Sequence, residues 1–378
     1  MNVGIDLTAL LPEATGVDNY MLNLVLHLAR LDHANRYMIF VNRADRDRFA
    51  GVLPRNFALV PICFRPRPAR LTFQQVILPA AATALGLDVV HSPSFIMPLY
   101  RGRQRHLLTV HDMTIFSLPH YHIPLRRSAL FRRVVAWSIR HADLVSVPSR
   151  SVQQDISRLL YSVPPERIRV IPQGIRDVFR PRPAEQAHAR ARRLGISAPY
   201  ILYVGTIEPR KNLLRLVESY RRLITRDRVV EHLVLAGRLG WDYDGLLSQL
   251  SSPELRDRVH LTSYVHQDDL PWLYAGARLF VYPSWHEGFG FPPLEAMASG
   301  VPTIASRSSA LAENLEGAAE LVAPGDVEAL TAAMRRLLHD DRLRLERTEQ
   351  GLRRAAQFRW DQAARQVIGC YEELARSR

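Results

Sequence analysis

Two carboxylates flank a glycine turn and a helix start in the second half of the chain. Glu287 and Glu295 lie eight residues apart in VYPSWHEGFGFPPLEAMASG, residues 281–300. Gly288 and Gly290 let the backbone approach a ligand closely, and the two prolines fit the first turn of a helix. The amides and dipole of a helix start favour an anion. The stretch therefore predicts a site for a ligand with phosphates and hydroxyls; an ordinary strand–turn–helix is the alternative.

A single lysine is the second chemical signal. The sequence has 49 arginines and one lysine, Lys211, which lies in GTIEPRKN. Lysine offers a compact, flexible point charge that the planar guanidinium lacks. Gly205 permits a tight exit from the strand YILYV, so Arg210 and Lys211 are expected near the next helix start. Two cations there could clamp a diphosphate; a solvated loop with ordinary charges is the alternative.

Weaker candidates follow other strands. His111 ends an apolar strand and could exchange a proton with a substrate hydroxyl, with Asp112 orienting it or acting alone; a structural histidine is the alternative. Gly16 follows the first strand, but a complete G-x-G-x-x-G is absent, so NAD is not supported. Asp242-Tyr243-Asp244 spells a metal-binding D-x-D, yet it lies at an apparent helix start, where aspartate caps amides. No metal site is predicted.

Alternating strands and helices must position these residues. The alternation predicts a parallel, doubly wound sheet in each half, with ligands beyond the carboxyl ends of the strands. A proline- and charge-rich stretch separates the two halves. The predicted organisation is a first Rossmann-like domain, a linker, a second Rossmann-like domain and a C-terminal helix, over residues 1–180, 181–198, 199–358 and 359–378.

Charge is unevenly distributed along the chain. Residues 1–180 carry 23 arginines and 12 acids, whereas residues 181–378 carry 27 cations and 25 acids. Arg126, Arg133 and Arg140 lie a heptad apart on a predicted helix and could face anionic membrane. A helix packed on its sheet with solvated arginines is the alternative that we favour. Nucleic-acid binding lacks aromatic-interleaved basic strands or finger spacing.

Several features indicate a cytoplasmic protein, at the inner face of the plasma membrane if the arginine stripe binds lipid. No apolar run reaches the roughly 18 residues of a membrane-spanning helix. The sequence opens with strand-like VGIDL rather than the basic and apolar regions of a signal peptide. Cys63 and Cys370 form no metal or disulfide pattern.

Together the motifs resemble the retaining glycosyltransferases of family 4. EGFGFPPLEAMASGVPTIAS is similar to the E-x7-E motif of that family. Further resemblance lies in GTIEPRKNLLRLVESY, LLTVHDMTIF, IRVIPQGI and FRWDQAARQVIGCYEEL. The resemblance implies a GT-B fold, with two Rossmann-like domains facing across a cleft. It also implies that the second domain holds most of the nucleotide sugar and that the last helix packs back on the first.

The resemblance assigns roles in the second domain. Arg210 and Lys211 would hold the diphosphate, and Glu287 the hydroxyls of the donor sugar. Glu295 would take the ribose hydroxyls. The nucleobase would lie near Tyr264-Val265. The amides that would help to hold the sugar follow the first glutamate directly, at Gly288, Phe289 and Gly290.

In the first domain the resemblance assigns two contacts. Gly16 would approach the diphosphate, and His111 would contact the donor sugar near the reacting carbon. This sequence departs from many relatives at Asp18, where they have a second glycine. The departure puts the approach of the Gly16 loop in question.

The implied reaction is a front-face displacement with retention of configuration. The acceptor hydroxyl attacks as the diphosphate leaves, stabilised by Arg210, Lys211 and helix amides. No metal is required, because fixed cations replace it. GDP-mannose is the expected donor, since this form of the motif resembles bacterial mannosyltransferases; UDP- and dTDP-sugars stay open.

The expected acceptor is a polysaccharide, lipopolysaccharide or glycolipid precursor. One alternative is a sucrose- or trehalose-type synthase, or another transferase with a small soluble acceptor. The other is a non-catalytic nucleotide-sugar-binding or membrane-docked assembly protein.

Overall fold

In the computed structural model the chain divides into two units. The first comprises Met1–Gly174 with Arg359–Arg378, and the second Ile175–Phe358. The structure describes residues 1–13, 15–64, 67–122, 125–196 and 199–377, with side chains at 67–68 and 125–128 left out.

The first unit contains a seven-stranded parallel sheet in the order β3-β2-β1-β4-β5-β6-β7. Nearly every residue of β1, β4 and β6 is buried, as expected for a parallel sheet covered on both faces. The strands are β1 (Asn2–Asp6), β2 (Arg36–Asn42), β3 (Phe57–Ile62), β4 (Val89–Ser92), β5 (Arg105–Thr109), β6 (Leu144–Val147) and β7 (Ile168–Val170).

The second unit contains a six-stranded parallel sheet in the order β10-β9-β8-β11-β12-β13. Both sheets reverse their strand order next to their first strand, which confirms the doubly wound prediction. The strands are β8 (Tyr200–Val204), β9 (His232–Ala236), β10 (Val259–Leu261), β11 (Leu279–Tyr282), β12 (Thr303–Ser306) and β13 (Glu320–Val322).

Helices connect the strands and cover the sheets. In the first unit they are α1 (Gly16–Leu31), α2 (Arg67–Thr72), α3 (Leu78–Ala84), α4 (Thr114–Ser117), α5 (Leu125–His141) and α6 (Arg150–Leu159). In the second unit they are α7 (Ala184–Arg193), α8 (Leu213–Arg222), α9 (Asp244–Leu250), α10 (Leu270–Ala275), α11 (Phe291–Ala298), α12 (Ser309–Leu315), α13 (Val327–His339) and α14 (Asp341–Ala355). The last helix, α15 (Trp360–Arg376), belongs to the first unit.

Two packing details concern the predicted organisation. Helix α15 packs on α1 and against β4 and β5. Helix α7 lies in the stretch predicted to be a linker, and it packs against α10 within the second unit. Arg190 of α7 pairs with Asp269 at 3.1 Å, just before α10.

Candidate active site

The two strongest sequence signals meet at one point of the second sheet. Strand order reverses between β8 and β11, which are hydrogen-bonded neighbours. Strand β8 leads into Pro209–Lys211, a 3₁₀ turn ahead of α8, and β11 leads to Glu287. Ligands of doubly wound sheets bind outside the carboxyl ends of the strands at such a switch point.

Lys211 and Arg210 both pair with Glu287. Lys211 is only 7 % exposed; its Nζ donates to Glu287 Oε1 at 2.7 Å and to the Tyr282 hydroxyl at 2.8 Å. A guanidinium nitrogen of Arg210 lies 3.0 Å from the same carboxylate oxygen. Its other terminal nitrogen donates to Glu208 at 2.7 Å. The two predicted cations and the predicted sugar-side carboxylate therefore form one cluster.

Glu287 is held as a carboxylate. Burial by itself would raise the pKa of Glu287, but Arg210 and Lys211 outweigh it and hold the pKa at about 2. Ser284 adds a hydroxyl donor at 2.6 Å, and the Glu287 amide donates to Ser309 Oγ at 2.8 Å. Glu287 thus provides, next to two cations, an ionised carboxylate that can accept hydrogen bonds from hydroxyl groups.

The glycine turn before α11 requires its glycine. Gly290 caps α11 with a φ of +96°, and a Cβ there would lie 2.7 Å from a methyl carbon of Leu311. Phe289 is buried, and its ring packs edge-on against Phe358. Within the described residues, the amides of Phe289 and Gly290 donate to no other group. They are thus available to an acceptor on a ligand.

Glu295 lies in a different environment, inside α11. It is 7 % exposed, and its Oε2 accepts from the Tyr274 hydroxyl at 3.0 Å. Burial raises its pKa, while the charge of Arg176 and the Tyr274 hydrogen bond partly oppose the rise. No ion pair with Arg210 or Lys211 reaches it in the described part of the chain. The two motif carboxylates are therefore chemically distinct.

His111, in the first unit, is oriented by two neighbours. Its Nε2 lies 2.8 Å from the Pro93 carbonyl oxygen, which only accepts, so Nε2 carries the proton. Nδ1 then accepts from the side-chain amide of Gln173 at 3.4 Å. Burial lowers the pKa of His111 and favours the neutral ring. Of the two proton roles predicted for His111, this tautomer favours accepting at Nδ1.

Asp112 fixes the turn after His111 rather than the imidazole itself. Its Oδ1 accepts from the Thr114 amide at 2.9 Å and from the Thr114 hydroxyl at 2.6 Å. Among the described residues, the hydrogen-bond partners of the His111 ring are Pro93 and Gln173 rather than Asp112.

The start of α1 carries its own carboxylate. Asp18 is 1 % exposed and accepts from the amides of Leu11 at 2.8 Å and Thr15 at 2.7 Å. Gly16 is the first residue of the helix. An anion approaching there would meet the charge of Asp18, so the departure noted in the sequence has a defined structural role.

The remaining predicted residues lie at other positions. Gly205 leaves β8 with a φ of +151°, and a Cβ there would lie 2.7 Å from the Tyr203 hydroxyl. Tyr264 and Val265 follow β10, with Val265 in the core of the second unit. Asp242 and Asp244 are exposed at the start of α9. In the ranges that the structure describes, no three His, Cys, Asp or Glu side chains are grouped to hold a metal ion.

The arginine stripe is only partly described. Arg133 and Arg140 are exposed on α5, and Arg140 donates to Ser162 at 3.2 Å. The opposite side of the helix is buried, with Val135 and Ile139 in the core. The side chain of Arg126 lies outside the described residues. Among the described helices, none is long and apolar enough to cross a bilayer.

Four functional neighbours were missed by sequence reasoning. Tyr282 and Ser284 donate to Glu287, Glu208 pairs with Arg210, and Tyr274 donates to Glu295. Glu208 could have been found, since it stands beside both cations in the motif. The partners of Glu287 could not, because hydroxyl residues at a strand end carry no distinctive pattern.

Comparison with known proteins follows the same division of the chain. Residues 14–179 match the model of Glycosyltransferase Family 4, and residues 188–354 that of Glycosyl transferases group 1. The O-antigen chain mannosyltransferase B of Escherichia coli is 32 % identical over 371 residues, which cover 95 % of this chain and 96 % of that protein.

Solved structures show the same fold. Sucrose-phosphate synthase from Thermosynechococcus elongatus superposes with a TM-score of 0.78 at 21 % identity, over all of both chains. Anabaena HepE, solved in complex with UDP-glucose, gives 0.79 at 17 % identity over 99 % of this chain and all of that one. Two doubly wound sheets, these neighbours and the full-length relative lead to one conclusion. The chain belongs to the family 4 glycosyltransferases and has their GT-B fold.

Proposed function

We propose that the chain transfers mannose from GDP-mannose to a hydroxyl of a polysaccharide, lipopolysaccharide or glycolipid precursor. The cluster of Arg210, Lys211 and Glu287 at the switch point is the observation that carries the proposal. The cluster places fixed cations, which can bind a diphosphate, beside an ionised carboxylate, which can accept hydrogen bonds from sugar hydroxyls. A nucleotide sugar carries both groups. The choice of mannose is supported by the name of the full-length E. coli relative.

The cations act on the leaving group. As the bond from the anomeric carbon to the diphosphate breaks, negative charge develops on the diphosphate. Arg210 and Lys211 are the groups proposed to stabilise it, together with the amides of Phe289 and Gly290, which follow Glu287 in the sequence. Because these charges belong to the protein, no metal ion is proposed.

Retention is proposed to follow from a front-face displacement. The acceptor oxygen bonds to the anomeric carbon on the side from which the diphosphate leaves, and the acceptor proton passes to the departing phosphate oxygen. Glu287 is a poor nucleophile candidate, since Arg210 and Lys211 stabilise its charge and hold its pKa at about 2. That engagement supports a mechanism without a glycosyl-enzyme intermediate.

Other roles are proposed on the resemblance. Glu295 takes the ribose hydroxyls, and the Tyr264-Val265 segment lies at the base. His111 accepts a hydrogen bond from a sugar hydroxyl at Nδ1, in place of the Gln173 amide, and this role is supported by the donation from Nε2 to the Pro93 carbonyl oxygen. The Gly16 loop is given a lesser part in phosphate binding, because Asp18 occupies the helix start. The proposed location is the cytoplasm, at the inner face of the plasma membrane if the arginines of α5 bind lipid.

A thermal-shift screen tests the donor. GDP, UDP, dTDP and ADP are added separately, and only binders of the folded protein raise the melting temperature. GDP is expected to give the largest rise. A larger rise with UDP or dTDP would replace the donor while leaving the reaction class intact. Stabilisation by a nucleotide without transfer to any acceptor would favour the non-catalytic alternative.

Substitution of Lys211 tests the diphosphate clamp. Lys211→Ala is expected to lower turnover about 100-fold or more, the usual scale for loss of a transition-state donor. The fold should survive, because Glu287 keeps Arg210 and Ser284 as partners. Lys211→Arg is the matched control that keeps the charge. Unchanged turnover in Lys211→Ala would refute the clamp.

Product analysis tests the stereochemistry. The anomeric configuration of the product is read by NMR and compared with that of the donor. Retention is expected, and an inverted product would overturn the proposed displacement. Full activity in EDTA is expected, since the charge on the leaving group is met by Arg210 and Lys211.

A further inference from the structure

Within the part of the chain that the structure describes, every hydrogen bond to the Glu287 side chain reaches the same oxygen. Ser284 Oγ, Lys211 Nζ and the Tyr282 hydroxyl donate to Oε1 at 2.6, 2.7 and 3.2 Å. An Arg210 nitrogen is 3.0 Å from the same atom. Within the described residues, no hydrogen bond reaches Oε2. One oxygen anchors the carboxylate, and the other is left for a ligand.

The cluster is electrically balanced without a ligand. Arg210 and Lys211 contribute two positive charges, and Glu287 and Glu208 contribute two negative charges. All four side chains are largely buried, with side-chain exposures between 6 and 13 %. A diphosphate therefore does not enter a site of uncompensated positive charge. It must take cations that already have carboxylate partners.

We propose that Glu287 competes with the diphosphate for Lys211 and Arg210, so that the site discriminates the nucleotide sugar from the nucleoside diphosphate left after transfer. This inference rests on the proposed function. While the sugar is bound, its hydroxyls donate to Oε2 and satisfy the carboxylate. Once the sugar has left, Oε2 loses these donors, and the charge of Glu287 is balanced by Arg210 and Lys211.

The charge of the product strengthens the competition. A nucleotide sugar carries one charge on each phosphate, whereas the terminal phosphate of a free diphosphate gains a second charge near neutral pH. That added charge faces the ionised Glu287 without sugar hydroxyls between them. Like charges at close range in a buried site repel strongly. Glu287 thus weakens product binding more than donor binding and speeds product release.

Glu287→Gln tests the inference, because it keeps the shape and removes the charge. The dissociation constants of GDP and GDP-mannose are measured by calorimetry for both proteins. We expect GDP to bind about tenfold or more tightly to the variant, with no gain for GDP-mannose. Without ligand, the variant should melt at a lower temperature than the wild type, since Lys211 loses its carboxylate partner. GDP should raise the melting temperature of the variant by more than it raises that of the wild type.

Two variants serve as controls. Glu320→Gln changes another partly buried carboxylate of the second unit, paired with Arg336 and Arg347, and should leave both dissociation constants unchanged. Glu208→Gln removes a carboxylate that pairs with Arg210 but not with Lys211, and should leave the ratio of the two constants near wild type.

The outcomes separate the inference from the proposed function. If the wild type binds GDP-mannose and transfers mannose, but Glu287→Gln binds GDP no more tightly, the competition is refuted. An equal change of the ratio in Glu208→Gln would also refute it, because the effect would then be one of total charge. If the wild type binds neither ligand, the proposed donor is wrong.

Discussion

Glu287 and Glu295 belong to one motif, yet their surroundings move their pKa values in opposite directions. Glu287 has two adjacent cations and a pKa of about 2. Burial raises the pKa of Glu295, and Arg176 and Tyr274 only partly oppose that rise. As pH falls, Glu295 therefore gains its proton first. If the ionised form binds the ribose, Glu295 sets the acid limit of nucleotide binding.

Tyr274→Phe should move that acid limit to higher pH. The Tyr274 hydroxyl stabilises the charged form of Glu295, so its removal raises the Glu295 pKa further. The dissociation constant of the nucleotide is measured from pH 5 to 8 in both proteins. Tyr203→Phe is the control, since the Tyr203 hydroxyl donates to the Thr206 carbonyl instead. An unmoved acid limb would exclude Glu295 as the titrating group.

At the scale of elements, α15 is tied to the middle of the first sheet by a buried histidine. His91 in β4 bonds through Nδ1 to the Tyr371 hydroxyl of α15 and through Nε2 to Thr109 of β5, both at 2.8 Å. Burial lowers the pKa of His91 to about 3. The ring stays neutral in the folded chain at pH values where it would be charged in the unfolded chain.

His91 should make the first unit less stable in acid. The stability that neutral His91 contributes is intact above its unfolded pKa, near 6.5, and is lost as pH falls toward 3. The loss in unfolding free energy reaches about 2 kcal/mol at pH 5. Unfolding free energies from urea titrations at pH 7.5 and 5 measure this. His91→Gln should reduce the difference between the two pH values. Tyr371→Phe should lower the unfolding free energy at both pH values and leave the difference between them unchanged. If the difference is also unchanged in His91→Gln, the assignment to His91 is contradicted.

At the scale of the whole molecule, the two units differ in charge. The first unit has 25 arginines and 14 acids, and the second has 25 cations and 23 acids. The excess of arginines over acids in the first unit attracts this unit to an anionic surface. The exposed Arg133 and Arg140 of α5 add a local concentration of charge on the first unit.

Vesicle flotation measures this attraction. The chain should float with vesicles of anionic lipid and not with neutral ones, and salt should weaken the association. Arg126/Arg133/Arg140→Ser should reduce flotation if α5 faces the lipid. The matched triple variant Arg215/Arg256/Arg353→Ser removes the same charge from exposed positions of the second unit and should float like wild type. Equal loss in both variants would indicate net charge rather than a stripe.

How much was predictable depends on sequence distance. Apolar strands punctuated by glycine and proline predicted both doubly wound sheets. The lone lysine and the glycine–proline helix start indicated the candidate site, because each lies in the loop and helix start after a strand. The hydrogen bond between His91 and Tyr371 spans 280 residues, and no local pattern reveals it. The proton position on His111 depends on the Pro93 carbonyl oxygen, which a sequence does not orient.

Lys211 also allows the chain to be labelled or cleaved at a single lysine. This sequence carries one ε-amine; it belongs to Lys211, a residue that is 7 % exposed, and it donates to Glu287 and Tyr282. Amine acylation of lysine therefore reports on one atom of the proposed diphosphate clamp. A lysine-specific endoprotease has one bond to cut, and the resulting fragments, 1–211 and 212–378, separate the two glutamate-motif residues from the cations. Cleavage requires the Lys211 segment to open, so its rate measures directly how often the clamp comes apart.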